Sequence, residues 1–221
     1  MSSPKIVDID HATRNKLKQT AVINPKKVTA NFQDNSIAEA VTNEGLFSPD
    51  ECAKILTLAE GRWKDAKVGK ILGSGDEVGR NEEVRNNQNY MLIPGDENFG
   101  VFNKLLQIVM EANKQYYRFD IDHFNAVQIS KYEVGEYYHK HVDIGPGSMG
   151  NRKISLTLQL TDPDTYEGGD LILDFIEGFT ASREIGSVTL FPSFLSHRVS
   201  AVTKGTRYSL VAWISGENRF R

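Results

Sequence analysis

Apolar residues in the first half of the chain recur at the spacing of amphipathic helices. The segment Ser48-Pro49-Asp50-Glu51 predicts a helix start, because Ser48 can cap, proline suits the first turn and Glu51 completes a capping box. One buried stripe follows, formed by Cys52, Ile55, Leu56 and Ala59. Cys52 is therefore predicted to be a core residue rather than a nucleophile. A second helix is predicted over residues 99–117, whose apolar face includes Phe102, Leu105, Leu106, Val109 and Met110.

From residue 124 onward the pattern changes to short strands separated by turns. Strands are predicted over residues 126–134, 153–161, 170–175, 187–191 and 206–214. Turn signals rich in glycine, proline and aspartate lie at 145–147, 162–164, 168–169, 177–178 and 204–205. Helices followed by many short strands predict an α+β fold, mainly β with packed helices, in which an antiparallel barrel or jelly roll carries the helices outside.

The strand over residues 153–161 alternates between apolar and polar side chains. Ile154, Leu156, Leu158 and Leu160 face one way, and Ser155, Thr157, Gln159 and Thr161 face the other. One interpretation is a surface strand with a solvated outer face. The other is a jelly-roll strand whose polar face lines a central pocket, and the metal-ligand pattern described below favours this second interpretation.

The remaining pattern indicates how the chain is organised. The polar residues 1–35 are predicted to form an N-terminal arm, followed by a single domain over residues 36–221. Within it, residues 36–120 are predicted to be helical support and residues 121–217 the strand-rich core. Residues 66–89 contain glycines at 69, 73, 75 and 79, which predicts a mobile hairpin or lid over a site.

Composition limits the possible functions. The 221 residues suffice for one well-buried core, and the net charge of −3 provides no basic field for nucleic acid or an anionic membrane. A single cysteine, Cys52, excludes an internal disulfide and a cysteine-rich zinc module. No segment has the pattern of a signal peptide or the length of a membrane span, which predicts a cytoplasmic protein.

Three residues form a candidate metal-binding pattern, His141-x-Asp143 and, further along, His197. Residues two apart at the end of a strand point to the same side and can share one ion. His197 follows the predicted strand 187–191, and two strand ends can meet at one rim of a closed barrel. Two imidazoles and one carboxylate would hold a redox-active divalent metal and leave coordination positions open.

His139 leaves an alternative open. It shares the predicted face of His141 and Asp143, and a shell of His139, His141 and His197 would suit zinc. Three ligands along one extended strand span about 13 Å, which is too far to share one ion. The mixed shell is preferred because it also accounts for Arg207, and the simpler interpretation of His139 is a partly exposed strand residue.

Arg207 lies ten residues after His197, on a predicted strand face with Ser209, Val211 and Trp213. A buried cation needs an anionic partner. The partner is either a ligand carboxylate, which a guanidinium grips as a fork, or a side chain such as Asp170 or Glu184. The spacing from His197 favours the ligand.

At this point the chain resembles the prolyl-4-hydroxylase group of 2-oxoglutarate oxygenases, most nearly its bacterial PKHD-type branch. The resemblance covers residues 126–215 and, more loosely, 46–120. It is carried by Tyr132-x-x-Gly135-x-x-Tyr138-x-x-His141-x-Asp143, Arg152, Gly168-Gly169-Asp170-Leu171, Phe191-Pro192, His197 and Thr206-Arg207. It implies a double-stranded β-helix that holds Fe(II) on His141, Asp143 and His197 and the far carboxylate of 2-oxoglutarate on Arg207. It also implies dioxygen as co-reactant and ascorbate as reductant.

The same resemblance implies roles for residues around the metal. Tyr132, Gln159 and Ser209 would donate hydrogen bonds to 2-oxoglutarate, and Tyr138, Arg152, Trp213 and Arg85 would contact the substrate. Gln159 departs from the family pattern, in which an aromatic residue is more frequent, but it can still donate. The implied reaction converts 2-oxoglutarate to succinate and CO2 and hydroxylates a prolyl residue of a peptide or protein.

Two alternatives remain at this point. The same chemistry could act on a free amino acid, a small metabolite or a modified nucleobase, because one fold hosts many substrates. A metal-containing β-barrel could also bind a ligand without catalysis.

Overall fold

The computed structural model describes residues 7–8, 27–29, 40–66, 84–174 and 179–220. Most of the predicted arm over residues 1–35, residues 67–83 of the predicted lid and the predicted turn at 177–178 lie outside the described residues. No helix of the described ranges is long and apolar enough to cross a membrane.

Both predicted helices are present, as α1 (Pro49–Thr57) and α2 (Phe99–Ala112), and α2 continues into a π-helical turn over Asn113–Tyr117. The predicted capping box is confirmed at α1. The Ser48 hydroxyl accepts a hydrogen bond from the main-chain N–H of Glu51 at 3.2 Å, and the Glu51 carboxylate accepts one from the N–H of Ser48 at 2.7 Å. These two bonds satisfy main-chain donors that the first turn of a helix otherwise leaves unpaired.

Sixteen strands lie within the described residues. They are β1 (Val7–Asp8), β2 (Lys27–Thr29), β3 (Val41–Asn43), β4 (Lys64–Asp65), β5 (Arg85–Asn86), β6 (Gln88–Met91), β7 (His123–Tyr132), β8 (Tyr137–His141), β9 (Arg152–Gln159), β10 (Glu167–Gly168), β11 (Leu171–Leu173), β12 (Phe179–Thr180), β13 (Val188–Pro192), β14 (His197–Val199), β15 (Val202–Lys204) and β16 (Arg207–Ser215). The five predicted strands correspond to β7, β9, β11, β13 and β16. The segment predicted as helical support also supplies β3 to β6, which the hydrophobic pattern did not predict.

The strands form a major and a minor antiparallel sheet. The major sheet has the order β2-β3-β13-β9-β16-β7-β6-β4, with β1 paired to β7, and the minor sheet has the order β12-β11-β14-β8-β5. A separate pair joins β10 to β15. This arrangement is the expected double-stranded β-helix, in which side chains of both sheets point into the space between them.

The two faces of β9 confirm the second interpretation of its alternating pattern. Ile154, Leu156, Leu158 and Leu160 are buried in the core that also contains Cys52 and Ile55 of α1 and Leu105 of α2. On the opposite face, Ser155, Thr157 and Gln159 point toward the space between the sheets, where Thr157 lines a cavity. The helices therefore cover the outer face of the major sheet and leave its inner face free for polar side chains.

Candidate active site

Both sheets contribute side chains to an open cavity of about 420 Å³. His141, Asp143 and His197 lie at one part of its wall, and Arg207, Ser209 and Trp213 of β16 lie along another.

The structure brings His141, Asp143 and His197 together. His141 ends β8 and His197 begins β14, and these two residues are directly paired across the minor sheet. Nε2 of His141 lies 3.7 Å from Oδ1 of Asp143, and Nε2 of His197 lies 3.5 Å from its Oδ2. One nitrogen or oxygen atom from each of the three residues lies within 4.8 Å of the others. Three donors at such separations can bind a single ion.

Main-chain contacts orient both imidazole rings toward the common point. Nδ1 of His141 lies 2.8 Å from the carbonyl of His139, and Nδ1 of His197 lies 3.0 Å from the carbonyl of Leu195. Because a carbonyl only accepts, each Nδ1 carries the proton and each Nε2 keeps the lone pair that a metal needs.

Electrostatics keeps two of these ligands in their metal-binding protonation states. Burial and the neighbouring His197 lower the pKa of His141 to about 3, which leaves its imidazole neutral at physiological pH. For Asp143, burial acts to raise the pKa, but the two histidines and a hydrogen bond from Ser155 outweigh it, so that its pKa is lowered. A neutral imidazole beside an ionised carboxylate is what a divalent metal requires.

The expectation that His139 shares the face of His141 is wrong, because β8 contains a bulge. Between the paired positions His197–His141 and Val199–Tyr138, β8 has one residue more than β14. The extra residue shifts the alternation, so Tyr138 rather than His139 lies on the side of His141. The Tyr138 and His141 rings stack at 3.5 Å, whereas the exposed His139 ring packs on Tyr137. The all-histidine shell is therefore not formed.

Asp143 is held by two serines that the sequence analysis did not single out and by Arg152, for which it implied a different role. The Ser155 hydroxyl donates to its Oδ2 at 2.6 Å and lies 3.0 Å from the hydroxyl of Ser193. The main-chain N–H of Asp143 donates to the carbonyl of Ser193 at 3.0 Å. Arg152 donates to the carbonyl of Asp143 at 3.2 Å. The only sequence signal for Ser155 was its place on the polar face of β9.

Arg207 is almost fully buried, with 3% of its surface exposed, and its Nε has no hydrogen-bond partner among the described residues. Neither predicted counter-ion pairs with it. Asp170 binds Arg183 at 2.7 Å, and no ion pair joins Arg207 to Glu184. The Tyr132 ring lies 5.6 Å from the guanidinium, and Ser209 lines the same cavity. A buried guanidinium without a counter-ion fits the predicted ligand carboxylate.

Gln159 lines a cavity together with Arg207 and is hydrogen-bonded to a tyrosine. Its Nε2 donates to the hydroxyl of Tyr166 at 2.8 Å, and Tyr166 is 3% exposed. Gln159, Tyr166 and Arg207 line a second cavity of about 270 Å³ next to the first. Tyr166, which follows the turn after β9, was not predicted as a site residue. A tyrosine from outside β9 thus lines this cavity together with Arg207, although β9 itself carries a glutamine here.

The four residues predicted to contact substrate lie at two places around the metal ligands. The guanidinium of Arg85 lies over the Tyr138 ring at 4.6 Å, and the guanidinium of Arg152 lies over the Trp213 ring at 4.3 Å. Arg85, Tyr138 and Trp213 line the larger cavity. The indole N–H of Trp213 is buried without a hydrogen-bond partner among the described residues.

Comparison with known proteins agrees with this geometry. Residues 127–215 match the family model described as the 2OG-Fe(II) oxygenase superfamily. The matched residues contain all three metal-ligand candidates and Arg207. Fe(II) and 2-oxoglutarate are the metal and cosubstrate of that superfamily, and the donor set fits both.

Within the superfamily, the predicted resemblance to PKHD-type hydroxylases is confirmed. A PKHD-type hydroxylase of Rippkaea orientalis is 41% identical over 96 residues, covering 41% of this chain and 42% of that protein. One of Thermosynechococcus vestitus is 34% identical over 137 residues, covering 59% of this chain and 60% of that protein. The chain thus matches about two fifths to three fifths of the length of these relatives.

Solved structures support the fold. A prolyl-4-hydroxylase of Pseudomonas putida has a TM-score of 0.63 at 20% identity, covering 80% of this chain and 93% of that one. A prolyl hydroxylase of Trichoplax adhaerens, solved with a peptide fragment of hypoxia inducible factor, has a TM-score of 0.60 at 16% identity, covering 75% of this chain and 76% of that one.

Proposed function

We propose that the protein is an Fe(II)- and 2-oxoglutarate-dependent dioxygenase that hydroxylates a prolyl residue of a peptide or protein. In the overall reaction one oxygen atom of O2 enters a substrate C–H bond, and the other enters succinate as 2-oxoglutarate loses CO2. The observation that carries the proposal is the convergence of His141, Asp143 and His197 beside a buried Arg207 whose Nε has no hydrogen-bond partner among the described residues. The prolyl substrate is supported by the resemblance to prolyl hydroxylases.

In this proposal, His141, Asp143 and His197 hold the iron, which supplies the site where dioxygen is reduced. Arg207 binds the far carboxylate of 2-oxoglutarate, and Tyr132, Gln159 and Ser209 complete its pocket. Ser155 and Arg152 keep Asp143 in place through its carboxylate and its carbonyl. The protein's task is positioning, because its own side chains need not exchange a proton with the substrate.

The substrate enters beside the metal ligands, between the Tyr138 and Trp213 rings. Both rings line the cavity. The guanidinium of Arg85 lies over the Tyr138 ring, and that of Arg152 lies over the Trp213 ring. A proline ring is compact and apolar, and it packs well against the edges and free faces of aromatic side chains. Arg85 and Arg152 orient these rings and approach the polar backbone that flanks the proline.

The test compares two variants of neighbouring histidines. His141→Ala should abolish Fe(II)-dependent decarboxylation of 2-oxoglutarate because it removes a metal ligand, whereas His139→Ala should retain it because that ring lies outside the cluster. Both substitutions remove an imidazole from β8, so each controls for the other. Equal activity of the two variants would contradict the assignment.

The substrate is tested separately, by incubating the protein with proline-rich peptides, Fe(II), 2-oxoglutarate and ascorbate. Mass spectrometry should show a gain of one oxygen atom on proline. Omission of ascorbate tests its expected role as reductant. Decarboxylation of 2-oxoglutarate without modification of any proline-containing peptide would support the dioxygenase activity but contradict the prolyl substrate.

A further inference from the structure

The charges around the larger cavity do not balance, even when its proposed contents are included. Fe(II) and Arg207 together carry three positive charges, and Asp143 and dianionic 2-oxoglutarate carry three negative charges, so this group is neutral. Two more guanidinium groups, those of Arg85 and Arg152, lie against the same aromatic walls. Among the described residues, no carboxylate oxygen lies within the 4.0 Å ion-pair distance of either one.

The guanidinium groups of Arg85 and Arg152 differ in how many of their N–H donors already have an acceptor. Arg152 donates from Nε to Asn125 at 2.8 Å and from Nη1 to the carbonyl of Asp143 at 3.2 Å. Arg85 donates only from Nε, to the Asn87 side chain at 2.6 Å. Its terminal nitrogens have no acceptor among the described residues. Arg85 is therefore the cation whose donors are free for a ligand.

Arg85 is also well placed to reach a substrate. It is 6% exposed and lines the cavity that contains the metal ligands. Its guanidinium lies 4.6 Å from the centre of the Tyr138 ring, which stacks at 3.5 Å on His141. The separation of Arg85 from the metal-binding imidazole cannot exceed the sum of these two distances. An extended peptide advances about 3.3 Å per residue, so a residue next to the reacting one can reach Arg85.

We infer that the substrate peptide carries an acidic side chain beside the hydroxylated residue, and that Arg85 binds this carboxylate. The inference rests on the proposed function and adds a charge requirement to it. A buried cation is costly unless paired, and the Tyr138 ring compensates for only part of that cost. A substrate carboxylate would satisfy the free donors of Arg85 and make the loaded site more nearly neutral.

The test measures binding of two labelled peptide sets by fluorescence anisotropy, under anaerobic conditions with Fe(II) and 2-oxoglutarate. The sets share a central proline and differ only in having glutamate or glutamine at the flanking positions. The protein should bind the glutamate set about tenfold more tightly, which is the scale of one charge-assisted contact. In Arg85→Gln the dissociation constants for the two peptide sets should become nearly equal.

Two further variants separate a charge effect from a structural one. Arg85→Lys keeps the charge and should keep most of the preference. Lys204→Gln removes an exposed cation of β15 that pairs with Glu167, so it should behave like the unsubstituted protein. If Arg85 only supported the Tyr138 ring, Arg85→Gln would weaken binding of both sets equally.

Two outcomes overturn the inference: a glutamate set that binds no more tightly than the glutamine set, or a preference that Arg85→Gln leaves unchanged. Binding of 2-oxoglutarate to the Fe(II) protein is measured by calorimetry on the same preparations. The absence of this binding contradicts the proposed function, whereas the charge preference tests only the role of Arg85, so the two failures are distinguishable.

Discussion

Replacing Arg207 by methionine removes a buried charge that has no counter-ion within the described part of the chain. The side chain is 3% exposed, and its Nε has no partner among the described residues. An unsatisfied buried donor costs about 1–3 kcal/mol, and methionine fills a similar volume without it. In a protein of this size 1 kcal/mol shifts the melting temperature by about 2–4 °C. We therefore expect the ligand-free Arg207→Met variant to melt several degrees higher than the unsubstituted protein.

The same substitution should abolish stabilisation by the cosubstrate. Ligand at a hundred times its dissociation constant stabilises the folded state by about 2.7 kcal/mol. Calorimetry with Fe(II) under anaerobic conditions, with and without 2-oxoglutarate, should show this increase in the unsubstituted protein and lose it in Arg207→Met. One substitution would thus raise stability without ligand and remove the response to ligand.

Arg198→Met is the matched control, because that arginine is exposed on β14 and lies 3.5 Å from Asp174. Its loss should change the free energy of unfolding by no more than a surface ion pair contributes, about 0–1 kcal/mol. It should leave the response to 2-oxoglutarate unchanged. A ligand-free Arg207→Met protein that melts well below the unsubstituted one, yet is still stabilised by 2-oxoglutarate, would refute the reasoning.

Three further predictions follow from contacts near the site and in the core. Ser155→Ala removes the 2.6 Å hydrogen bond to Asp143 and should lower metal affinity about 10–100-fold, measured by Mn(II) titration with electron paramagnetic resonance; unchanged affinity would contradict this role. Burial, followed by the charge of a neighbouring glutamate, raises the pKa of Cys52 to about 11, so iodoacetamide at pH 8 should alkylate it only after unfolding in urea. Gly169→Ala and Gly135→Ala both place a side chain at positive φ and should cost about 1–2 kcal/mol in urea unfolding. Only the first should also weaken 2-oxoglutarate binding in calorimetry, because its added Cβ would lie 2.9 Å from Cδ of Arg207, the arginine proposed to bind the cosubstrate, whereas the second has open space.

The sequence predicted the parts of the fold that have long, regular patterns. The alternation in β9 and the two faces of β16 each extend over enough residues to define a period. The capping box at Ser48 is a local motif whose residue types are specific enough to be found without a period. Strands such as β5, β14 and β15, with two or three residues each, are too short to show one. Their positions depend on pairing with distant strands, which a local pattern does not contain.

The sequence also predicted the candidate site only in part. His141, Asp143, His197 and Arg207 were found from residue type and spacing, because few other arrangements of these side chains are chemically useful. Tyr166 was missed, since its contact with Gln159 depends on how the turn after β9 folds back. The orientation of His139 was predicted wrongly because strand alternation assumes that no residue is inserted into the ladder.

The extra residue in β8 makes main-chain geometry, rather than the presence of histidine, decide which imidazole becomes a ligand. Losing one residue between Tyr138 and His141 would remove the bulge yet leave both rings on one face, because residues two apart in a regular strand point to the same side. A strand of the present length without the bulge would instead place these two rings on opposite faces, although every residue of the motif would be present. The spacing of residues along this strand therefore does not by itself say which side chains share the face of the metal ligand.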